Sequence, residues 1–266
     1  MRPIPPVVKN LLIINIAVFI LSRFLLNDLY YYLSIYFIKS EYFRPYQIIT
    51  HMFLHADMWH LFFNMFALYM FGMVLEYHAG SKRFFMLYFV AGLGAIFLHE
   101  FVVWLQYKSI LHDSKVFFNN PVLSNFEIMV HNNKKFFSSD VFTFINEWRK
   151  NQGNEYFLQK AIEETESLLN NLNNRVFNIP TMGASGAVFG LLAAFAVLFP
   201  NTELYVMFIP IPVKAKYVIP FYAILELFFG VANFKGDNIA HFAHLGGAIF
   251  GFIIAIIWKK KQFKIF

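Results

Sequence analysis

Six apolar runs divide the chain, at residues 8–26, 58–75, 84–105, 184–199, 217–232 and 239–258. A hydrocarbon core about 30 Å thick needs roughly 20 apolar residues in a helix, so each run can cross or nearly cross a bilayer. The fourth and fifth are short. Between the third and fourth runs, from about 106 to 179, the pattern changes: Lys/Arg and Asp/Glu occur in balance and Asn is frequent. This stretch reads as an extramembrane insertion. Within it, Ser138-Ser139-Asp140 predicts the start of a helix carrying Phe142, Ile145 and Trp148, broken near 151–154 and resumed through 156–172. Two amphipathic helices resting near one membrane face, or a solvated spacer, both fit that pattern. The expected fold is therefore an all-α polytopic membrane protein with six transmembrane helices and a partly helical insertion. Segments 1–105 (three helices and an outer loop) and 180–266 (three helices) would form one domain around the 106–179 insertion.

Composition agrees with a membrane class: 58% of the 266 residues are hydrophobic, Phe alone supplies 36, and the mean hydropathy is +0.51. The basic residues fall on one side. Arg2 and Lys9, Lys82 and Arg83, Lys214 and Lys216, and Lys259, Lys260, Lys261 and Lys264 flank the N-terminus, the second and fourth connections and the C-terminus. Under the positive-inside rule both termini are expected in the cytoplasm, and the protein in a bacterial plasma (inner) membrane. Membrane orientation then accounts for the net charge of +6, with no nucleic-acid partner needed. The first run has a basic, Pro-containing head but no small-residue cleavage site, so it reads as an uncleaved helix. With no Cys in the chain, disulfides, thiolate metal sites and a cysteine nucleophile are all excluded.

Two polar motifs sit inside apolar runs. Gly183-Ala184-Ser185-Gly186 opens the fourth, and Ala243-His244-Leu245-Gly246-Gly247 lies in the sixth. A serine nucleophile needs a base within hydrogen-bond reach and donors aimed at the developing oxyanion. At the head of a helix the first amides have no intrahelical acceptor and the dipole is positive, so the backbone around Ala184 and Ser185 suits an oxyanion. Small residues repeat every four positions as Gly186, Gly190 and Ala194, and again as Ala243, Gly247 and Gly251; such stripes let membrane helices approach closely. If the two stripes face each other, Ser185 and His244 become neighbours. His60 and Asn64, four apart, share one face of the second run, and both can donate hydrogen bonds.

In these residues the chain resembles the rhomboid intramembrane serine proteases. The resemblance rests on His60-x-x-x-Asn64, Gly183-Ala184-Ser185-Gly186, and Ala243-His244 followed by Gly247 and Gly251, in that order in the second, fourth and sixth runs. It covers the six-span core from about Arg44 to Trp258 without the insertion. It implies a six-helix rhomboid-like bundle and a Ser-His dyad: Ser185 as nucleophile and His244 as base, then acid. It further implies oxyanion or substrate stabilisation by His60 and Asn64 with the Ser185 amide, together with Gly183 and Ala184, and support from Phe189 stacked on the histidine, Gly186, Gly247 and Gly251. Residues 43–55, from Phe43 to His55, resemble the family's first outer loop. Neither metal nor cofactor is implied. The expected substrates are single-span membrane proteins within the lipid bilayer, selected for a helix that unwinds readily.

Other readings remain open at this point. His241, one turn before His244, competes as the base, and Asp237 is placed to orient a histidine or to cap a helix. A zinc site would draw on His51, His55, His60, His241 and His244. However, His99-Glu100 is followed by Phe101-Val102-Val103, not by the His-Glu-x-x-His pattern. A client-binding protein without cleavage, or a transporter using Arg23, Glu100 and Glu226, are the remaining rivals.

Overall fold

The computed structural model describes residues 3–205, 212–232 and 240–261. The chain divides into two compact units. One comprises the segments up to Tyr36, Phe43–Glu100 and from Pro180 onward; the other comprises Phe37–Tyr42 and Phe101–Ile179.

Among the described residues, five helices are long and apolar enough to cross a membrane: Pro6–Leu25, Met58–Ala79, Ser81–Asn119, Ala215–Ala232 and His241–Lys260. A sixth, Ser185–Leu198, has 14 residues, which at a rise of about 1.5 Å per residue spans roughly 21 Å. In chain order these are the first to sixth core helices, with Ser185–Leu198 the fourth. The protein is thus an all-α polytopic membrane protein. A small antiparallel pair joins Glu203–Tyr205 to Pro212–Lys214, with Leu204 opposite Val213. Three-residue strands beside a Pro carry too little alternation to be read from sequence.

The first helix begins with Pro at its first position, where no amide is lost. The next two amides, Val7 N–H and Val8 N–H, donate to the Glu76 carboxylate at 3.0 and 2.8 Å. Ser81 Oγ donates to the same carboxylate at 2.7 Å. Glu76 is only 2% exposed. A buried anion is tolerated here because it meets the positive end of a helix and three donors. Between the second and third helices Gly80 adopts φ 82, a left-handed conformation that ends one helix and reverses the chain.

The core of this unit includes Met52, Leu68, Phe84, Leu87, Tyr88, Leu191 and Ala194. Outside it, Trp59, Phe62, Phe63 and Phe66 of the second helix and Phe221, Ile224, Phe228 and Val231 of the fifth are exposed. In water such surfaces are a liability, whereas in lipid they are the ordinary outer face of a bundle.

The fourth and sixth helices meet at backbone distance. A Cβ added to Gly247 would overlap the Gly186 carbonyl, and one added to Gly251 would overlap that of Gly190. The two stripes of small residues do face each other. The third helix closes on the same place: a Cβ on Gly186 would strike Ala95, one on Gly190 would strike Ala91, and Gly246 packs on the Gly94 carbonyl.

The third helix runs to Asn119, where the apolar run alone ends it at 105. Residues 106–119 are polar enough to break the hydropathy signal yet keep helical spacing through the buried Ile110, Ser114 and Phe117. The break comes at Asn120-Pro121, since the residue before Pro disfavours the α conformation. The second unit continues with helices Leu123–Asn132, Asp140–Lys150 and Glu155–Leu172. Ser139 is the N-cap residue of the middle one but makes no side-chain cap bond, whereas Asn154 accepts from Tyr156 N–H at 3.0 Å. Their apolar faces meet each other. Ile110, Phe117, Phe126, Met129, Ile145, Trp148, Phe157 and Ala161 form a core of their own. The segment expected as a spacer or two surface helices is therefore a helical unit with its own buried centre.

Because Gly247 faces a carbonyl oxygen rather than a flexible side chain, Gly247→Val should force the fourth and sixth helices apart. Overpacking of this kind costs about 1–3 kcal/mol or more. The expected result is a lower melting temperature in detergent micelles. Gly153→Val is the comparison, since a Cβ at Gly153 meets nothing within 4 Å and only its φ of 90 resists the change.

Candidate active site

Ser185 is the first residue of the fourth helix and Ala184 its fully buried N-cap. The loop leading to it is fastened in two places. Ile35 and Thr181 exchange backbone hydrogen bonds of 2.9 and 2.8 Å, and Gly183 N–H donates to the His51 carbonyl at 2.9 Å. Gly183 has φ 131, a region in which a side chain is strained. Space matters there too: a Cβ would lie 2.9 Å from His60 Cε1, 3.0 Å from His60 Nε2 and 3.4 Å from Ser185 Oγ. The imidazole and the hydroxyl thus crowd the same vacant position.

His244 lies in the first turn of the sixth helix, which starts at His241. Its Nε2 is 2.8 Å from Ser185 Oγ. Phe189, one turn beyond Ser185, stacks on the imidazole with ring centroids 4.4 Å apart and planes 7° from parallel. For the serine hydroxyl to donate to Nε2, the ring proton must sit on Nδ1. Nδ1 is 3.0 Å from Glu226 Oε2. That oxygen lies off the N–H axis, so Nδ1 has proximity to the carboxylate without an aligned hydrogen bond. The aligned contact from Glu226 is to Nδ1 of His241, at 2.6 Å. His241 also stacks on Phe229, with centroids 5.7 Å apart.

His60 is held from both ends. Asp57 Oδ1 accepts its backbone amide at 2.8 Å as the helix N-cap, and its Nδ1 accepts from Ala56 N–H at 3.3 Å. With Nδ1 an acceptor, the proton is on Nε2, at the edge of the ring that faces Gly183. Asn64 spends one of its two amide hydrogens on the His60 carbonyl at 2.8 Å. The first amides of the fourth helix, at Ser185, Gly186 and Ala187, precede the first intrahelical bond, Val188 N–H to Ala184 C=O at 3.0 Å. A cavity of about 20 Å³, room for roughly one water, is bordered by Ser185, Gly186, His51, Gly92, Ala95 and Ala243 among others.

The other two histidines considered for zinc have different surroundings. His51 Nδ1 donates to the Gln47 carbonyl at 2.8 Å, and burial pushes its imidazole down to about 4. His55, in edge contact with His60 at 5.1 Å, is pushed down to about 3 by burial and then by His60. Both are therefore neutral near pH 7. Of the five histidines considered for zinc, only His241 and His244 converge with a carboxylate. With Glu226 they offer three ligand atoms within 4.8 Å of one another, the group among the described residues that could hold a metal. Asp237 lies outside the described residues. Glu226, read from the sequence only as a residue that a transporter would use, was not expected beside the two histidines. Its signal was an acidic group in an apolar helix, which calls for a partner.

Residues 42–110 and 156–261 match the rhomboid domain. The chain belongs to the rhomboid family. It is 38% identical over 87 residues to an uncharacterized mitochondrial rhomboid protein of Schizosaccharomyces pombe, covering 30% of this chain and 22% of that protein. It is 31% identical over 88 residues to the mitochondrial rhomboid protein 1 of Saccharomyces cerevisiae, covering 31% of this chain and 25% of that protein. The chain thus matches about a quarter or less of these curated relatives. They also correct the expected compartment. Both are named as mitochondrial, so the expectation of a bacterial plasma membrane with cytoplasmic termini is not upheld. The physical reason is that basic connections distinguish the two sides of a membrane without saying which membrane it is.

Gly183→Ala should displace the His60 ring and strain the loop at φ 131 while leaving the helices intact. The expected outcome is a nearly unchanged melting curve, within about 1–2 kcal/mol, together with clearly slower reaction of Ser185 with a fluorophosphonate probe.

Proposed function

We propose that this rhomboid protein is an intramembrane serine endopeptidase working by a Ser185-His244 dyad. The observation that carries this reading is the 2.8 Å contact between Ser185 Oγ and His244 Nε2 inside a membrane bundle. As the Ser185 oxygen attacks a peptide carbonyl, its proton passes to His244 Nε2 and an acyl-enzyme forms through a tetrahedral oxyanion. His244 then returns that proton to the leaving amine, and water, deprotonated by His244 in turn, releases the acyl group. His60 Nε2–H, the Asn64 carboxamide and the backbone amides at the start of the fourth helix serve as oxyanion donors, the role that Gly183 and Ala184 shape. Phe189 keeps the imidazole plane in position. Gly186, Gly247 and Gly251 bring the two helices close enough for the dyad to form.

The substrates are segments of membrane proteins, single-span ones above all, presented within the lipid bilayer. In keeping with the names of the yeast relatives, the membrane is a mitochondrial one. The short fourth helix, about 21 Å long, starts Ser185 below the bilayer surface, where water reaches it from one face only.

Ser185→Ala removes a single hydroxyl, so cleavage of a model membrane substrate and fluorophosphonate labelling should both disappear while the melting temperature stays put. Asn64→Ala should slow kcat by about 10²–10³, the usual cost of one oxyanion donor. Cleavage by the Ser185→Ala protein at the wild-type rate rules the reading out.

A further inference from the structure

The chemistry above uses one face of His244. The other face meets Glu226, an acidic residue of the fifth core helix whose neighbours Ile224, Leu225, Leu227, Phe228 and Phe229 are apolar. One carboxylate oxygen, Oε2, faces two imidazoles one helical turn apart: Nδ1 of His241 at 2.6 Å and Nδ1 of His244 at 3.0 Å. An ionised carboxylate in such a place is stable only with cationic or N–H partners. Both histidines therefore present Nδ1–H toward it. For His244 this is the tautomer that leaves Nε2 free to accept from Ser185.

The geometry points to Glu226 as a positioning residue of the Ser185-His244 pair, with His241 as the anchor that holds its carboxylate between the two turns. The inference rests on the protease reading and deepens it. When the Ser185 proton arrives on His244 Nε2, the ring becomes an imidazolium whose charge faces Glu226 across 3.0 Å, with both side chains mostly buried. Coulomb attraction is strong at that distance in a low dielectric. The off-axis N–H of the resting state can then turn onto the oxygen. No proton moves to Glu226: one leaves Ser185, one arrives at His244, and the carboxylate stays ionised throughout. The site is then a line of three residues drawn from the fourth, sixth and fifth helices, in which only Ser185 and His244 exchange a proton and His241 stands outside. Other titratable groups facing His244 are His60 from the second helix and His99 from the third, both within its electrostatic reach.

The test uses the full chain in detergent micelles and compares Glu226→Gln, Glu226→Asp and Ser185→Ala with wild type. The readouts are fluorophosphonate labelling rate, kcat and KM on a model membrane substrate, and thermal melting. Glu226→Gln should cut the labelling rate and kcat by up to about 10⁴, the loss on amide replacement of the carboxylate in a Ser-His-Asp site, with KM little changed. Glu226→Asp, which keeps a carboxylate, should restore part of both rates. If Glu226→Gln melts early, its rates are read below the melting transition and rescue decides: no recovery of rate in the folded Asp variant overturns the inference. Unchanged rates in folded Glu226→Gln overturn it as well. Loss of wild-type labelling in EDTA that zinc restores would make the trio a metal centre and also overturn it. Activity that survives Ser185→Ala defeats the protease reading instead, a result that the Glu226 variants cannot produce.

Discussion

Everything near Ser185 depends on two helices touching through backbone atoms. Gly247 lies against the Gly186 carbonyl and Gly251 against that of Gly190, at separations that admit no side chain. In lipid there is no hydrophobic drive to push helices together, so the contact has to be made by dispersion between closely matched surfaces. The distance from Ser185 Oγ to His244 Nε2 follows from that contact. Each residue sits in the first turn of its helix, and neither side chain could bridge a wider gap.

The same contact explains why so much of this region was legible in one sequence. Small residues at a spacing of four mark a face, and a serine next to one stripe with a histidine inside the other marks a juxtaposition. The Phe189 stack was expected only from the rhomboid resemblance, since spacing alone puts an aromatic one turn from Ser185 without saying what it touches. Glu226 was harder to read. Its distance from His241 and His244 depends on how the fifth helix leans on the sixth, and no periodicity in the chain encodes that lean. Hydropathy located the core helices well but set their ends poorly. It stopped the third at 105 because charge dilutes an apolar average, although Ile110 and Phe117 keep the helical face to Asn119. The Glu203–Tyr205 and Pro212–Lys214 pair carried no usable signal.

The Phe101–Ile179 region shows the opposite situation. Its helices were legible, but their partners were not. Amphipathic helices at a membrane protein's edge suggest a lipid surface, yet Phe126, Trp148 and Phe157 are buried among one another. A hydrophobic face in a sequence states that something must cover it and leaves open whether lipid or protein does so.

The pairing of Ile35 with Thr181 bears on how this chain tolerates change. Its downstream partner, Thr181, follows Pro180 directly, just after the long helical segment ends. Closing a loop costs free energy that grows only slowly with loop length. The bridge therefore acts as a clasp, giving the residues after it the same starting point however many residues come before. A lineage could lengthen, shorten or replace the preceding segment without altering where the nucleophile's helix begins, which makes this junction a natural place for a rhomboid core to acquire an added domain.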